Sequence, residues 1–320
     1  MISILIATLV SLLTATRQDS CRVWTFADPD ALVEDVVFDS IADRYLVTSV
    51  RRGGVFAIDR EGRTTAFIVP DTATWGTFAI GLDATHHTLW VTTFSYPGSA
   101  RYASANTGHA AILEYDYPRG RLRRRWQFAD TAARAVGDLT IAPNGDLFVT
   151  ASIGGGVYAI DRGASAIRTV RPAHTYRSPQ TPAVSDDGRY MYIPDYAVGI
   201  ARLDLGTGRA TWLSHAPDLD LTGIDGMYLR GSSLIAVQNG SPPNRIVRLA
   251  VRGDSIVRAE VVVAGGDAVD LNHAVIVNSE IRFLAHSGWA RMSDAGVMTP
   301  GGAADAPRLL RICGQQGQSR

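Results

Sequence analysis

Short apolar runs rich in Val, Ile, Tyr, Phe and Thr alternate along the chain with turns of Gly, Asp, Pro and Asn. No sustained helical periodicity interrupts them, so the pattern predicts an all-β protein. One unit recurs: an apolar start, a D-x-x-G-type turn, a run ending in Thr or Ser, then a segment of the form G-x-V-x-x-I-D. It reads EDVVFDSIADRYLVTS…GGVFAID from Glu34, FAIGLDATHHTLWVTT…AAILEYD from Phe78 and GDLTIAPNGDLFVTA…GGVYAID from Gly137. It continues as QTPAVSDDGRYMYIP…VGIARLD from Gln180, DGMYLRGSSLIAVQN…NRIVRLA from Asp225 and NHAVIVNSEIRFLAH from Asn272. The starts are 44, 59, 43, 45 and 47 residues apart. Units of that length holding several short strands are the signature of propeller blades. Six copies predict a six-bladed β-propeller occupying residues 21–313, with a short tail over 314–320.

The ends of the repeat predict how the ring closes. The sixth copy has room for three strands, the last being RLLRIC, and CRVWTF ahead of the first copy can supply the fourth. Antiparallel pairing of these runs sets Cys313 beside Cys21. They are the only cysteines, so in an oxidising compartment they read as one disulfide fastening the ring. The longest spacing comes from an insertion, Phe94 to His109. Because it follows the inner strand of the second copy, it is expected at the end opposite the strand starts, as a surface loop without a direct role.

Composition narrows the function classes. At 320 residues, with 46% hydrophobic and 19% charged residues, the chain is globular. Its formal charge of +0 gives no basic footprint for nucleic acid. The dense run RGRLRRRW reads as a solvated hairpin. There is no lysine, which excludes lysine Schiff-base chemistry. The first residues, MISILIATLVSLLTAT, have the length of a signal-peptide core and are too short to span a bilayer. Residues 1–20 therefore read as a signal peptide lacking a basic leader. QDSC is a poor lipoprotein box, so an exported protein free of the membrane after cleavage is expected. No nucleophile elbow, P-loop or dinucleotide fingerprint is present.

In a propeller the first strand of each blade lines the axis, so the six strand starts converge. They are Glu34, Phe78, Gly137, Gln180, Asp225 and Asn272, and four of them carry side-chain oxygen. Glu34, Gln180, Asp225 and Asn272 thus form a candidate site for a hard divalent cation, with Ca²⁺ favoured. Two carboxylates in a narrow channel would otherwise repel and raise a pKa. Glu34 is the most telling, since the chain has five glutamates and turns do not favour them. Polar plugs bridged by water, or plain turn residues, are the alternative account of the same positions.

The run EDVVFDSIADRYLVTS with Glu34, and IDGMYL with Asp225, resemble motifs of the superfamily of gluconolactonase, senescence marker protein (regucalcin) and luciferin-regenerating enzyme. Paraoxonase and strictosidine synthase are more distant relatives of that group. The resemblance spans most of the chain as blade pattern and is specific at "ED" and "DGM". It implies that a Glu, an Asn and an Asp hold a divalent cation and that the Asp is also the general base, which assigns those roles to Glu34 and Asp225. Gln180 stands where the family has Asn, and Gly137 where a further Asn is frequent, followed by Asp138 as in the family. A terminal disulfide like that of paraoxonases is implied as well.

The implied chemistry is hydrolysis of a lactone or small ester. His273, one residue past the sixth start, is the second candidate base. His174 and His215, with Trp75, Tyr176 and Arg177, sit in loops at the expected site end. His86, His87, His109 and His286 fall on turns or the far end. The competing expectation is a non-catalytic propeller that binds a small molecule or a protein around a structural ion.

Overall fold

Five of the repeat units fold into four antiparallel strands and the sixth into three, because the alternating pattern leaves two faces to bury and the turn residues supply the reversals. The turn acid of the first unit shows how. Asp39 accepts hydrogen bonds from the amides of Ile41 and Ala42 and from Arg44 Nε, which closes the hairpin locally. The computed structural model describes residues 20–72 and 74–313. The expected tail, and the expected signal peptide apart from Ser20, lie outside the described residues.

β1 (Ser20–Thr25) comes first in sequence but joins the last blade. Blade one holds β2 (Val33–Asp39), β3 (Arg44–Ser49), β4 (Gly54–Ile58) and β5 (Thr64–Ile68). Blade two holds β6 (Gly76–Asp83), β7 (Thr88–Phe94), β8 (Ala110–Asp116) and β9 (Arg121–Trp126). Blade three holds β10 (Asp138–Ile141), β11 (Leu147–Thr150), β12 (Val157–Ile160) and β13 (Arg168–Arg171). Blade four holds β14 (Ala183–Val184), β15 (Tyr190–Asp195), β16 (Gly199–Asp204) and β17 (Ala210–Trp212). Blade five holds β18 (Ile224–Arg230), β19 (Ser233–Gln238), β20 (Arg245–Arg252) and β21 (Ser255–Ala264). Blade six holds β22 (Ala274–Val277), β23 (Glu280–Ala285), β24 (Arg308–Ile312) and, outermost, β1.

This is the expected six-bladed propeller. Its core lies between blades rather than within one layer. One apolar cluster joins Ile235 and Ile246 of blade five to Ile281 and Phe283 of blade six, and another joins Leu46 and Val55 of blade one to Leu89 and Leu113 of blade two. Each such fully buried side chain is worth about 1.5–3 kcal/mol. The ring closes as expected: β1 pairs antiparallel with β24, with Cys21 opposite Arg311, and Cys21 and Cys313 form a disulfide. The basic run is the outer strand β9, whose arginines are mostly exposed. Arg119, Arg121 and Arg123 share Asp116, a charged edge that resists pairing with another chain.

The insertion departs from expectation. β6 and β7 are antiparallel, and Gly76 at the start of β6 pairs with Phe94 at the end of β7. The loop after Phe94 therefore emerges at the same end as the strand starts. The same geometry puts His109, which closes that loop, and His286, just past β23, at this end too. No helix among the described residues is long and apolar enough to cross a membrane.

Candidate active site

Inner strands β2, β6 and β18 each begin with a bulge. Their register shifts between Val33 and Val36, between Thr77 and Ile80, and between Ile224 and Met227. A bulge lets two consecutive residues face the same way, so blade one sends both Glu34 and Asp35 into the buried channel end. The freed amides are satisfied locally. Asp35 N donates to Thr48 Oγ1 and Ala79 N to Thr92 Oγ1, which gives the Thr-ending runs of the repeat their purpose.

The outer ring of the site forms where the starts of blades five, six and one meet. Asn272 Nδ2 donates to Glu34 Oε2 at 2.8 Å, and Trp289 Nε1 donates to the same oxygen at 2.6 Å. Asn272 Oδ1 is fully buried without a hydrogen-bond partner. Asp225 Oδ2 accepts from Asn239 Nδ2 at 2.7 Å, and Asn239 Oδ1 in turn accepts from the Tyr196 hydroxyl at 3.0 Å. Glu34 and Asn272 are thus in direct contact, and Asp225 lies near enough for its charge to raise the Glu34 carboxyl. The hydrogen bonds of the Gln180 side chain go instead to its own loop: its amide nitrogen donates to Ser178 Oγ at 2.9 Å.

A second ring lies one residue along each strand, and sequence reasoning did not assemble it. His273 Nε2 sits 3.1 Å from Asp138 Oδ1 and 2.9 Å from Thr181 Oγ1, while Thr181 Oγ1 donates to Asp138 at 2.5 Å. His273 Nδ1 lies 2.8 Å from the Glu34 carbonyl oxygen and 3.9 Å from Asp35 Oδ1. Both imidazole nitrogens are therefore engaged with the protein, and the ring is buried. Gly226 makes room for it: a Cβ there would meet His273 Cδ2 at 3.0 Å and the Tyr228 hydroxyl at 2.9 Å. Asp138, Asp225 and His273 each offer a ligand atom, all within 4.8 Å of one another, a grouping able to hold a metal ion. The signal for this ring was present in the doublets ED, GD, QT and NH, where four of the six starts are followed directly by a polar residue.

So much charge in one buried place shifts the titrations. Burial, with the charges of Asp225 and Asp138, pushes Glu34 up to about 8 against the pull of His273 and Asn272. Burial raises Asp35 to about 6, and burial with Asp138 raises Asp225. For His273 burial acts downward, but Asp35, the hydrogen bond to Asp138 and the charge of Asp225 hold it well above the usual imidazole range. Below both rings the channel continues to the far end as a cavity of about 330 Å³, walled by apolar residues such as Val37, Leu139, Met227 and Ile276.

The inserted loop covers the strand-start end. Tyr96 stands 5.4 Å from the Trp289 ring, and Gly98 and Pro97 pack against Met292 and Gly296 of the long β23–β24 connection. That connection is pinned by Asp270, which accepts from the amides of Gly288 and Ala290, and by the Arg291–Asp30 ion pair. Of the loop residues expected at the mouth, His174, His215 and Arg177 are exposed. Tyr176 is buried against Trp212, and Trp75 lies under Arg125 and beside His109. None of these touches either ring among the contacts of the described residues.

No protein-family model and no curated protein matches the sequence. Solved structures do match the fold. Calcium-binding regucalcin from Agrobacterium tumefaciens is 14% identical with a TM-score of 0.65, over 94% of this chain and 96% of that one. A gluconolactonase from Xanthomonas campestris is 13% identical with a TM-score of 0.63, over 92% and 89%. An inactive variant of virginiamycin B lyase from Staphylococcus aureus, solved with quinupristin, is 13% identical with a TM-score of 0.62, over 92% and 99%. The chain therefore shares the propeller fold of regucalcin and gluconolactonase, the group its "ED" and "DGM" motifs resemble.

Proposed function

We propose that the protein hydrolyses a lactone or related small ester at the strand-start end of its channel, with a divalent cation held by Glu34, Asp225 and Asn272. The observation that carries this reading is Asn272 Oδ1. A buried acceptor without a partner costs about 1–3 kcal/mol, and this one adjoins Glu34, whose pKa is raised partly by Asp225. A cation satisfies all three at once. The all-oxygen donor set suits Ca²⁺, and the shared fold of regucalcin, described as calcium-binding, supports that choice. When bound, such an ion polarises a carbonyl oxygen and steadies the charge that develops on it.

Asp225 is the general base in this reading. Asn239 holds its Oδ2, so orientation is fixed and the other oxygen is left to take a proton from the attacking water. As the ring C–O bond breaks, that proton passes to the leaving alkoxide, giving a hydroxy acid. His273 has no free nitrogen for substrate; it offsets the negative charge of Asp138 and Asp35 behind the base. The competing reading, a propeller that binds without turnover, draws support from the Trp289 bond that caps Glu34. Export to an oxidising compartment belongs to the proposal and is supported by the Cys21–Cys313 disulfide.

A panel of lactones and aryl esters, assayed with Ca²⁺ and with chelator, tests the reading. Asp225→Ala is expected to lower kcat by about 100-fold or more while the unfolding midpoint stays cooperative. A metal-binding protein that turns over nothing on the panel would leave only the binding reading.

A further inference from the structure

The far half of the channel is built differently from the strand-start end. It is the cavity of about 330 Å³ below the two rings, and all six inner strands contribute to its wall. Val37, Ile141, Val184, Leu229 and Ile276 come from five different blades, and each is only partly buried. They lean on the clusters between the blades while keeping apolar surface open to the channel. Such surface in a concave place favours an apolar occupant, because water finds few hydrogen bonds there. Polar groups in the wall are few. No Arg or His side chain lines it among the described residues, and Asp35 is its one charged residue. Asp35 Oδ1 accepts from the Val36 amide at 2.7 Å and Oδ2 from the Ile80 amide at 2.9 Å. A carboxylate accepts about four hydrogen bonds in all, so Asp35 keeps acceptor capacity, and its side chain remains 12% exposed. His273 Nδ1 lies 3.9 Å behind it and offsets its charge.

We propose that this far half of the channel binds an uncharged aliphatic alcohol, its hydrocarbon chain along the apolar wall and its hydroxyl donating to Asp35. The site does not depend on the hydrolase reading, since both rings stand between this cavity and the strand-start end. The head group follows from the charges. A carboxylate would face Asp35 and find no cation in the wall. An ammonium group would give up its hydration to meet a carboxylate that His273 already offsets. A hydroxyl gives up the least water and still supplies the donor that Asp35 can take. The chain length follows from the depth. In blade four the wall runs from Thr181 to Val184, three steps of extended backbone, or about 10 Å. That depth suits a medium-length alcohol such as 1-heptanol.

Calorimetric titration of the protein near neutral pH with 1-heptanol, heptylamine and heptanoate tests this. Heptanol is expected to bind at a single site, with the amine and the acid weaker by about tenfold or more, since each carries an uncompensated charge into an apolar place. Ile276→Trp, which fills the bore from blade six, should abolish heptanol binding. Val184→Phe, which fills it from blade four, carries the test if the tryptophan variant fails to fold. Trp289→Ala, at the strand-start end, should leave heptanol affinity unchanged, whereas a site among the outer-ring residues would respond to it. The proposal is overturned if heptanol does not bind, or if either charged analogue binds as tightly. It is equally overturned if the filling variants leave binding unchanged, or if Trp289→Ala removes it.

Discussion

Glu34 accepts hydrogen bonds from Asn272 and Trp289 on one oxygen, yet its burial beside two other carboxylates holds its pKa up at about 8 against an ordinary value of 4.5. The consequence for stability has a definite sign. Below pH 4.5 the group is protonated in both folded and unfolded chains, so it takes nothing from the fold. Between 4.5 and about 8 the unfolded chain ionises while the folded protein keeps its proton, and stability falls across that interval. Asp35, raised to about 6, and Asp225, also raised, act in the same direction. In chelator the melting temperature of the wild type should therefore drop from pH 5 to pH 8, and Glu34→Gln should lose part of that drop. Calcium should stabilise the wild type most at the upper end of the range. Thermal melts of both proteins at the two pH values, with and without Ca²⁺, check this. An identical drop in the glutamine variant would exclude Glu34 as a source.

At the scale of the element, the inner-strand bulges explain what could be read in advance and what could not. The strand starts were legible as a set because the repeat register fixes which residue opens each blade, and that register delivered Glu34, Asp225 and Asn272 to one place. Asp35 of the second ring was not, since a regular strand would turn it away from the channel, and only the register shift between Val33 and Val36 brings it in. The insertion was misplaced for a related reason: its side of the ring depends on counting strand reversals, and it follows the second strand of its blade rather than the inner one. Tyr96 and Trp289 came from segments with no repeat to index them, whereas Asn239 closes the second run of the fifth unit, where the recurring pattern has Thr or Ser. The threonines that end the second strands make a testable link between motif and bulge. Thr92→Val keeps shape but leaves the bulged amide of Ala79 without its acceptor. It should cost about 1–3 kcal/mol in urea unfolding, whereas Thr92→Ser should cost less. Equal losses would mean that the hydroxyl is not what the bulge requires.

The ring as a whole depends on one seam. Five blades are continuous in sequence, but the sixth borrows β1 from the other end of the described chain, and β1 is buried at only one of its six positions. The Cys21–Cys313 disulfide spans 292 residues of sequence at that seam. A cross-link over so long a loop stabilises by about 6 kcal/mol in the chain-entropy model, with measured values often lower. Asn272, His273 and Trp289 all belong to blade six or its connections, so the blade at the seam also carries part of the candidate site. Peeling β1 from β24 frees the outer side of the sheet whose inner edge supplies those residues. Cys21→Ser, or reduction of the wild type, should therefore lower the urea midpoint by a clear margin and weaken calcium binding in native buffer, before the ring unfolds. Calorimetric titration with Ca²⁺ on oxidised and reduced protein reads the second effect and urea denaturation the first. A lower midpoint with unchanged calcium affinity would show that the seam stabilises the ring without reaching the channel.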